Sequence, residues 1–95
     1  MSNWKLISNH GVVLIYVAKH PQAIAHDIAL NIGVRERTIR RIIADLVTDG
    51  YLEKDRVGRS NRYIVNLEAP LRRSVMQGAK VEDILKMLVP LFNVE

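Results

Sequence analysis

The 95-residue chain has no cysteine. That excludes disulfides and thiolate metal sites together, and it fits a reducing compartment. Its three histidines, His10, His20 and His26, have no metal-ligand spacing among themselves, and no HExxH pattern accompanies them. No metal and no cofactor is therefore expected. There is no Gly-rich phosphate loop, nucleophile elbow or paired-carboxylate arrangement, so the chain is not expected to be an enzyme. The longest apolar run, Val12–Ala18, falls far short of the roughly 20 residues a membrane-spanning helix needs. No charged-then-apolar leader precedes it, and a cytoplasmic location without membrane contact is the expectation. Repeats and low-complexity stretches are also missing.

What the chain does have is apolar content and localised positive charge. Hydrophobic residues make up 48% of the sequence, enough for a folded core in one domain with an appended helix. Lysine and arginine outnumber the acidic residues 14 to 10, for a net charge of +4. Eight of the fourteen basic residues lie between Arg35 and Arg62, a concentration that suits a polyanionic partner.

Punctuation and periodicity divide the chain into elements. Ser8-Asn9 can cap a largely buried helix over "HGVVLIYVAKH", which Pro21 stops. A short second helix, "AIAHDIALN", is expected to turn Ile24 and Ile28 inward, with Ala25 and Ala29 beside them. Gly33 then breaks the chain with a positive φ. A third helix spans about Arg35 to Thr48, because Ile39, Ile42, Ile43 and Leu46 recur at i, i+3, i+4, i+7. "YLEKD" reads as a strand, "RVGRSN" as a loop and "RYIVNL" as the returning strand, with Tyr63, Val65 and Leu67 on one face. Pro70 opens a linker, and Val81, Ile84, Leu85 and Leu88 mark a last amphipathic helix that Leu91 and Phe92 extend. The expected division is residues 1–69 and residues 70–95.

The third helix starts against the local rules. Arg35 stands where Ser, Thr, Asp or Asn would cap, a loss of about 1 kcal/mol. Arg37, Arg40 and Arg41 follow within two turns, and cations there oppose the helix dipole by a few tenths of a kcal/mol each. Arg37 and Arg41 also form a like-charge i, i+4 pair, which Glu36 to Arg40 offsets only in part. Departures of this kind concentrate at functional sites.

Helix, helix, turn, helix, hairpin is the element order of a winged helix-turn-helix domain, an α+β fold that is mainly α. In that arrangement the third helix enters the DNA major groove and the hairpin, or wing, lies beside it. The leading end "RERTIRR" would then meet phosphates and guanine edges. The wing residues Arg56, Arg59, Ser60, Asn61 and Arg62 would suit phosphate contact or a narrow minor groove.

The stretch "DIALNIGVRERTIRRIIADLVTDGYLEKDRVGRSNRYIVNL" resembles winged helix-turn-helix transcription regulators of the MarR and ArsR type, and more closely the small stand-alone bacterial and archaeal regulators of this build. Trp4, then Ser8-Asn9-His10, and the closing helix Val81–Leu88 extend the resemblance to nearly the whole chain. It implies a homodimeric regulator that binds double-stranded DNA. By position it makes Arg37, Thr38, Arg40 and Arg41 recognition-helix residues, and Arg56 to Arg62 the wing; Arg35 and Glu36, at the start of the same helix, join the expected DNA-binding set. Two departures stand out: Arg35 replaces the usual Ser or Thr cap, and His26 replaces a basic residue at the start of the second helix, where a DNA-backbone contact is expected.

The expected activity is sequence-specific repression from an inverted repeat. The closing helix is expected to supply a dimer interface through Val81, Ile84, Leu85, Leu88, Leu91 and Phe92. A winged helix serving protein–protein contact and a non-specific architectural DNA binder are the alternatives. The sequence names no effector ligand and no operator.

Overall fold

The computed structural model describes residues 4–92. The fold is α+β and about half helical, with four α-helices and one two-stranded antiparallel sheet. The elements are α1 (Asn9–Lys19), α2 (Ala25–Ile32), α3 (Glu36–Thr48), β1 (Leu52–Val57), β2 (Ser60–Val65) and α4 (Val81–Leu88). Single 3-10 turns occupy Ser74–Met76 and Val89–Leu91.

Local chemistry sets the helix ends. The Ser8 hydroxyl accepts from the Gly11 N–H at 3.2 Å and caps α1. Gly33 closes α2 at φ 87°, a left-handed backbone that a side chain would strain, and its N–H donates to the Ala29 carbonyl at 2.9 Å. Arg35 is the N-cap of α3 rather than its first helical residue, and its side chain makes no capping bond.

Two apolar clusters form the core. In the larger, Val13 and Val17 of α1 meet Ile28 of α2 and the α3 stripe Ile39, Ile42, Ile43 and Leu46, with Leu52 of β1 closing one end. The α3 spacing therefore reads correctly at all four positions. In the smaller, Ile15 of α1 and Ala69 pack against Val81 and Leu85 of α4. The segment between β2 and α4 is tied down rather than free: Pro70 and Lys80 form an antiparallel bridge, and the Val81 N–H donates to the Ala69 carbonyl at 2.9 Å. The Asp83 carboxylate caps α4 by accepting from the Lys80 N–H at 2.8 Å.

Three local expectations are corrected. Ile24 is 59% exposed, because it is the N-cap of α2 and helical spacing does not apply to it. The strands run longer than their polar composition suggests. Arg56 and Val57 belong to β1, and Ser60 and Asn61 to β2, with Val57 paired to Ser60. Only Gly58 and Arg59 make the turn, with Gly58 at φ 63°, the positive φ that two-residue hairpin turns require at their first position. Leu67 lies past the end of β2 and is exposed, so its alternation with Val65 ends with the strand.

Candidate nucleic-acid interface

Because α3 buries one stripe, its opposite stripe must face solvent. That outer stripe is Arg37, Arg41, Ala44 and Thr48, all exposed. Arg40 lies on the flank toward the hairpin. On the other flank, by helical spacing, come half-buried Thr38 and exposed Asp45, which accepts from His10 of α1 at 2.9 Å. Asp45 thus lies away from the basic side of α3, whereas Glu36 pairs with Arg40 on it.

The hairpin completes a groove beside the basic side. The cleft, of about 590 Å³, is walled by Arg40, Ala44 and Thr48 of α3, by Ile24 and Ala25 at the start of α2, and by Lys54, Arg59, Ser60, Asn61 and Tyr63 of the hairpin. Strand register sorts the hairpin's charges. Lys54 pairs with Tyr63 and Arg56 with Asn61, so these four share the sheet face toward α3. Asp55 pairs with Arg62 on the other face, where their side chains form an ion pair at 3.2 Å. The expected wing set therefore divides: Arg59, Ser60 and Asn61 line the groove, Arg56 shares its face, and Arg62 points away with its charge matched. Arg56 also reaches the Gly58 carbonyl at the turn, at 3.4 Å.

Ion pairing separates the arginines further. Arg40 is held by Glu36 through Nε at 3.1 Å and through Nη2. Among the described residues, Arg35, Arg37, Arg41, Lys54, Arg56 and Arg59 have no carboxylate partner. Glu36 lies in the first turn, where its charge favours the helix dipole that the arginines oppose. Its other oxygen is 3.4 Å from Nδ1 of His26. The hydrogen bond from Arg40 holds the Glu36 carboxyl below the usual carboxylate range, against a smaller opposing effect of desolvation. His26 is exposed at the start of α2, beside Glu36.

Lys54, Ala44 and Thr48 wall this groove and are absent from the sequence reading of the site. A signal for Lys54 exists, since it shares the parity of buried Leu52 and so continues the face that β1 turns to α3.

A second concave surface lies on the far side of α3 from the hairpin. It is an apolar groove of about 860 Å³ between the stretch before α1, the end of α3 and α4, walled by Leu6, Ile7, Leu14, Met76, Ile84 and Met87, with Asp45, Asp49, Arg72 and Asp83 at its polar edges. Of the residues expected at a dimer interface, Val81 and Leu85 are buried in the chain's own core and are not available to a partner. Phe92 is half-buried, edge-on to Tyr16 at 5.8 Å, and its carbonyl accepts from Lys19 at 2.7 Å. Ile84 and Leu88 are half-buried in the groove wall, and Leu91 is exposed.

Among the described residues no group of three or more His, Cys, Asp or Glu is placed to hold a metal ion, and no helix is long and apolar enough to cross a membrane. No family model, no curated protein and no solved structure matches the chain.

Proposed function

We propose that the chain is a winged helix-turn-helix transcription regulator that binds double-stranded DNA in a sequence-specific manner. One observation carries the reading: six cations without carboxylate partners among the described residues, Arg35, Arg37, Arg41, Lys54, Arg56 and Arg59, are gathered on α3 and the hairpin beside it. Leaving that many like charges unmatched costs stability and suits a surface that meets phosphates. In this reading α3 lies in the major groove, where arginine reads guanine O6 and N7 bidentately. The hairpin lies against the backbone or the minor groove. Neutral donors Ser60 and Asn61 at the hairpin, and Thr48 on α3, add hydrogen bonds to phosphate.

The reading includes a homodimer, with a second copy of the chain covering the apolar groove. The α3–hairpin surface carries an excess of positive charge and repels its own copy. The groove is bordered by both signs, Asp45, Asp49 and Asp83 with Arg72, and on α4 the exposed Lys86 stands beside Met87, which is 70% exposed. A surface of mixed sign can match itself across a two-fold axis. Two copies would set their α3 helices about 34 Å apart, one DNA turn, on an inverted repeat. Repression by occupying that repeat is the simplest consequence.

The test is fluorescence anisotropy on duplex DNA from upstream of the chain's own gene, against a scrambled duplex, at about 150 mM salt. A preference of about a thousandfold supports a sequence-specific regulator. Equal, salt-steep binding to both would make it an architectural binder, and no binding to either would leave a protein-contact module.

A further inference from the structure

Glu36 is the one acidic residue in the first turn of α3, and both of its oxygens are engaged inside the protein. One takes the Nε of Arg40 at 3.1 Å together with Nη2 of the same guanidinium. The other faces Nδ1 of His26 on α2 at 3.4 Å. Oε2 already accepts two donors from Arg40, so a cytosine amino group would have to approach the carboxylate at Oε1, beside His26.

The consequence falls on Arg40. A guanidinium has five N–H donors in a rigid fork. With the Nε–Nη2 edge closed against Glu36, the Nη1–Nη2 end stays open. That end carries parallel donors of the kind that bind guanine O6 and N7 in a bidentate pair. Arg37 and Arg41 have no ion-pair partner among the described residues, so their side chains must be ordered at the moment of binding. Arg40 loses much of that freedom before the DNA arrives, and preordered groups discriminate better. Its side chain also borders the groove shared with Lys54 and Asn61, which places its contact on the hairpin side of α3.

We propose that Glu36 is a positioning residue, tied to His26, that fixes the Arg40 guanidinium, and that Arg40 so fixed is the specificity-determining arginine of the surface. This rests on the DNA-binding reading and sharpens it. Arg37 and Arg41 then supply affinity that is largely indifferent to sequence.

Two measurements test it. In the free protein, the Arg40 Nε–H should give a resolved, slowly exchanging NMR resonance that broadens in Glu36→Ala and is partly restored in Glu36→Gln. A fast-exchanging Arg40 Nε–H in the wild type would refute the clamp without reference to DNA. In the second, the wild-type chain selects duplexes from a pool with a randomised core, and each selected base pair is then changed in turn. Glu36→Ala and Arg40→Ala should both lose about ten- to a hundredfold of discrimination, at the same base pair, with no further loss in the double variant. Circular dichroism of each variant confirms folding, and Glu36→Gln should keep part of the discrimination. Loss at two different base pairs, with additive effects, would make Glu36 a base-contacting residue and overturn the assignment. If the wild type selects a sequence and Glu36→Ala keeps full discrimination, this assignment alone fails. A wild type that selects nothing removes the assignment together with the reading it rests on.

Discussion

The salt dependence expected of the proposed DNA binding can be worked out from which cations are already neutralised. Eight lysines and arginines lie between Arg35 and Arg62, but Arg40 is bonded to Glu36 and Arg62 to Asp55. Six remain to replace counterions on the DNA. Each phosphate neutralised contributes about 0.9 to the slope of log K against log salt, so the six predict a slope of about −5 per bound chain. Between 50 and 200 mM salt that amounts to roughly a thousandfold loss of affinity. The decisive comparison is between two arginines that composition alone cannot tell apart. Arg41→Ala should weaken binding and reduce the slope by about 1. Arg62→Ala should leave the slope nearly unchanged, because its charge is already balanced and faces away from α3. Anisotropy titrations of wild type and both variants at four salt concentrations would measure this. Equal slope changes for the two variants would refute the division of the hairpin into a DNA face and a self-paired face. A wild-type slope near zero would refute the count of free cations.

Three further outcomes follow from packing and charge. Ile39 is fully buried where α3 meets α1 and α2, so Ile39→Ala should cost about 2–5 kcal/mol in chemical denaturation. Leu91→Ala, at an exposed site, should stay within about 0.5 kcal/mol, and equal costs would contradict the assignment of the core. The Glu36 carboxyl titrates below its unfolded value, so its stabilising pair with Arg40 is fully present above the unfolded carboxylate pKa and is lost as pH falls through the folded one. The gap in thermal midpoint between wild type and Glu36→Gln should therefore narrow under acid, and a gap independent of pH would contradict the pairing. Met87→Lys should abolish the proposed dimer in sedimentation velocity while leaving the thermal midpoint at low protein concentration nearly unchanged; a persisting dimer would place the interface elsewhere.

Sequence reasoning worked best where one period governs a long element. The four inward residues of α3 were legible because thirteen residues repeat one helical pattern. It failed at edges, where the pattern has too few residues to be recognised. Ile24 matches the inward spacing of α2 but stands one position before the helix, and a cap is free to face water. The polar run 56–61 reads as loop because composition does not show pairing, whereas Val57 opposite Ser60 shortens the turn to two residues. The candidate site was legible as a list of arginines but not as a surface. Whether Arg62 is free depends on Asp55 being its cross-strand neighbour, and whether Arg40 is free depends on the Glu36 carboxylate; both are facts of register and rotamer. Val81 and Leu85 suggest a face for a partner, yet they cover the chain's own core, because an amphipathic stripe does not say which surface it covers.

Helix α1 is the wall that both apolar clusters share: Val13 and Val17 face α2 and α3, while Ile15 faces α4. A central shaft gripped from two sides ties the stability of the two halves together. Removing the chain after Ala69 would uncover Ile15 and leave α1 with a wet apolar side, weakening its hold on α3 as well. The α2–α3 half and the closing helix should therefore melt in one cooperative step, and hydrogen exchange in α1 should report the global opening rather than any local one.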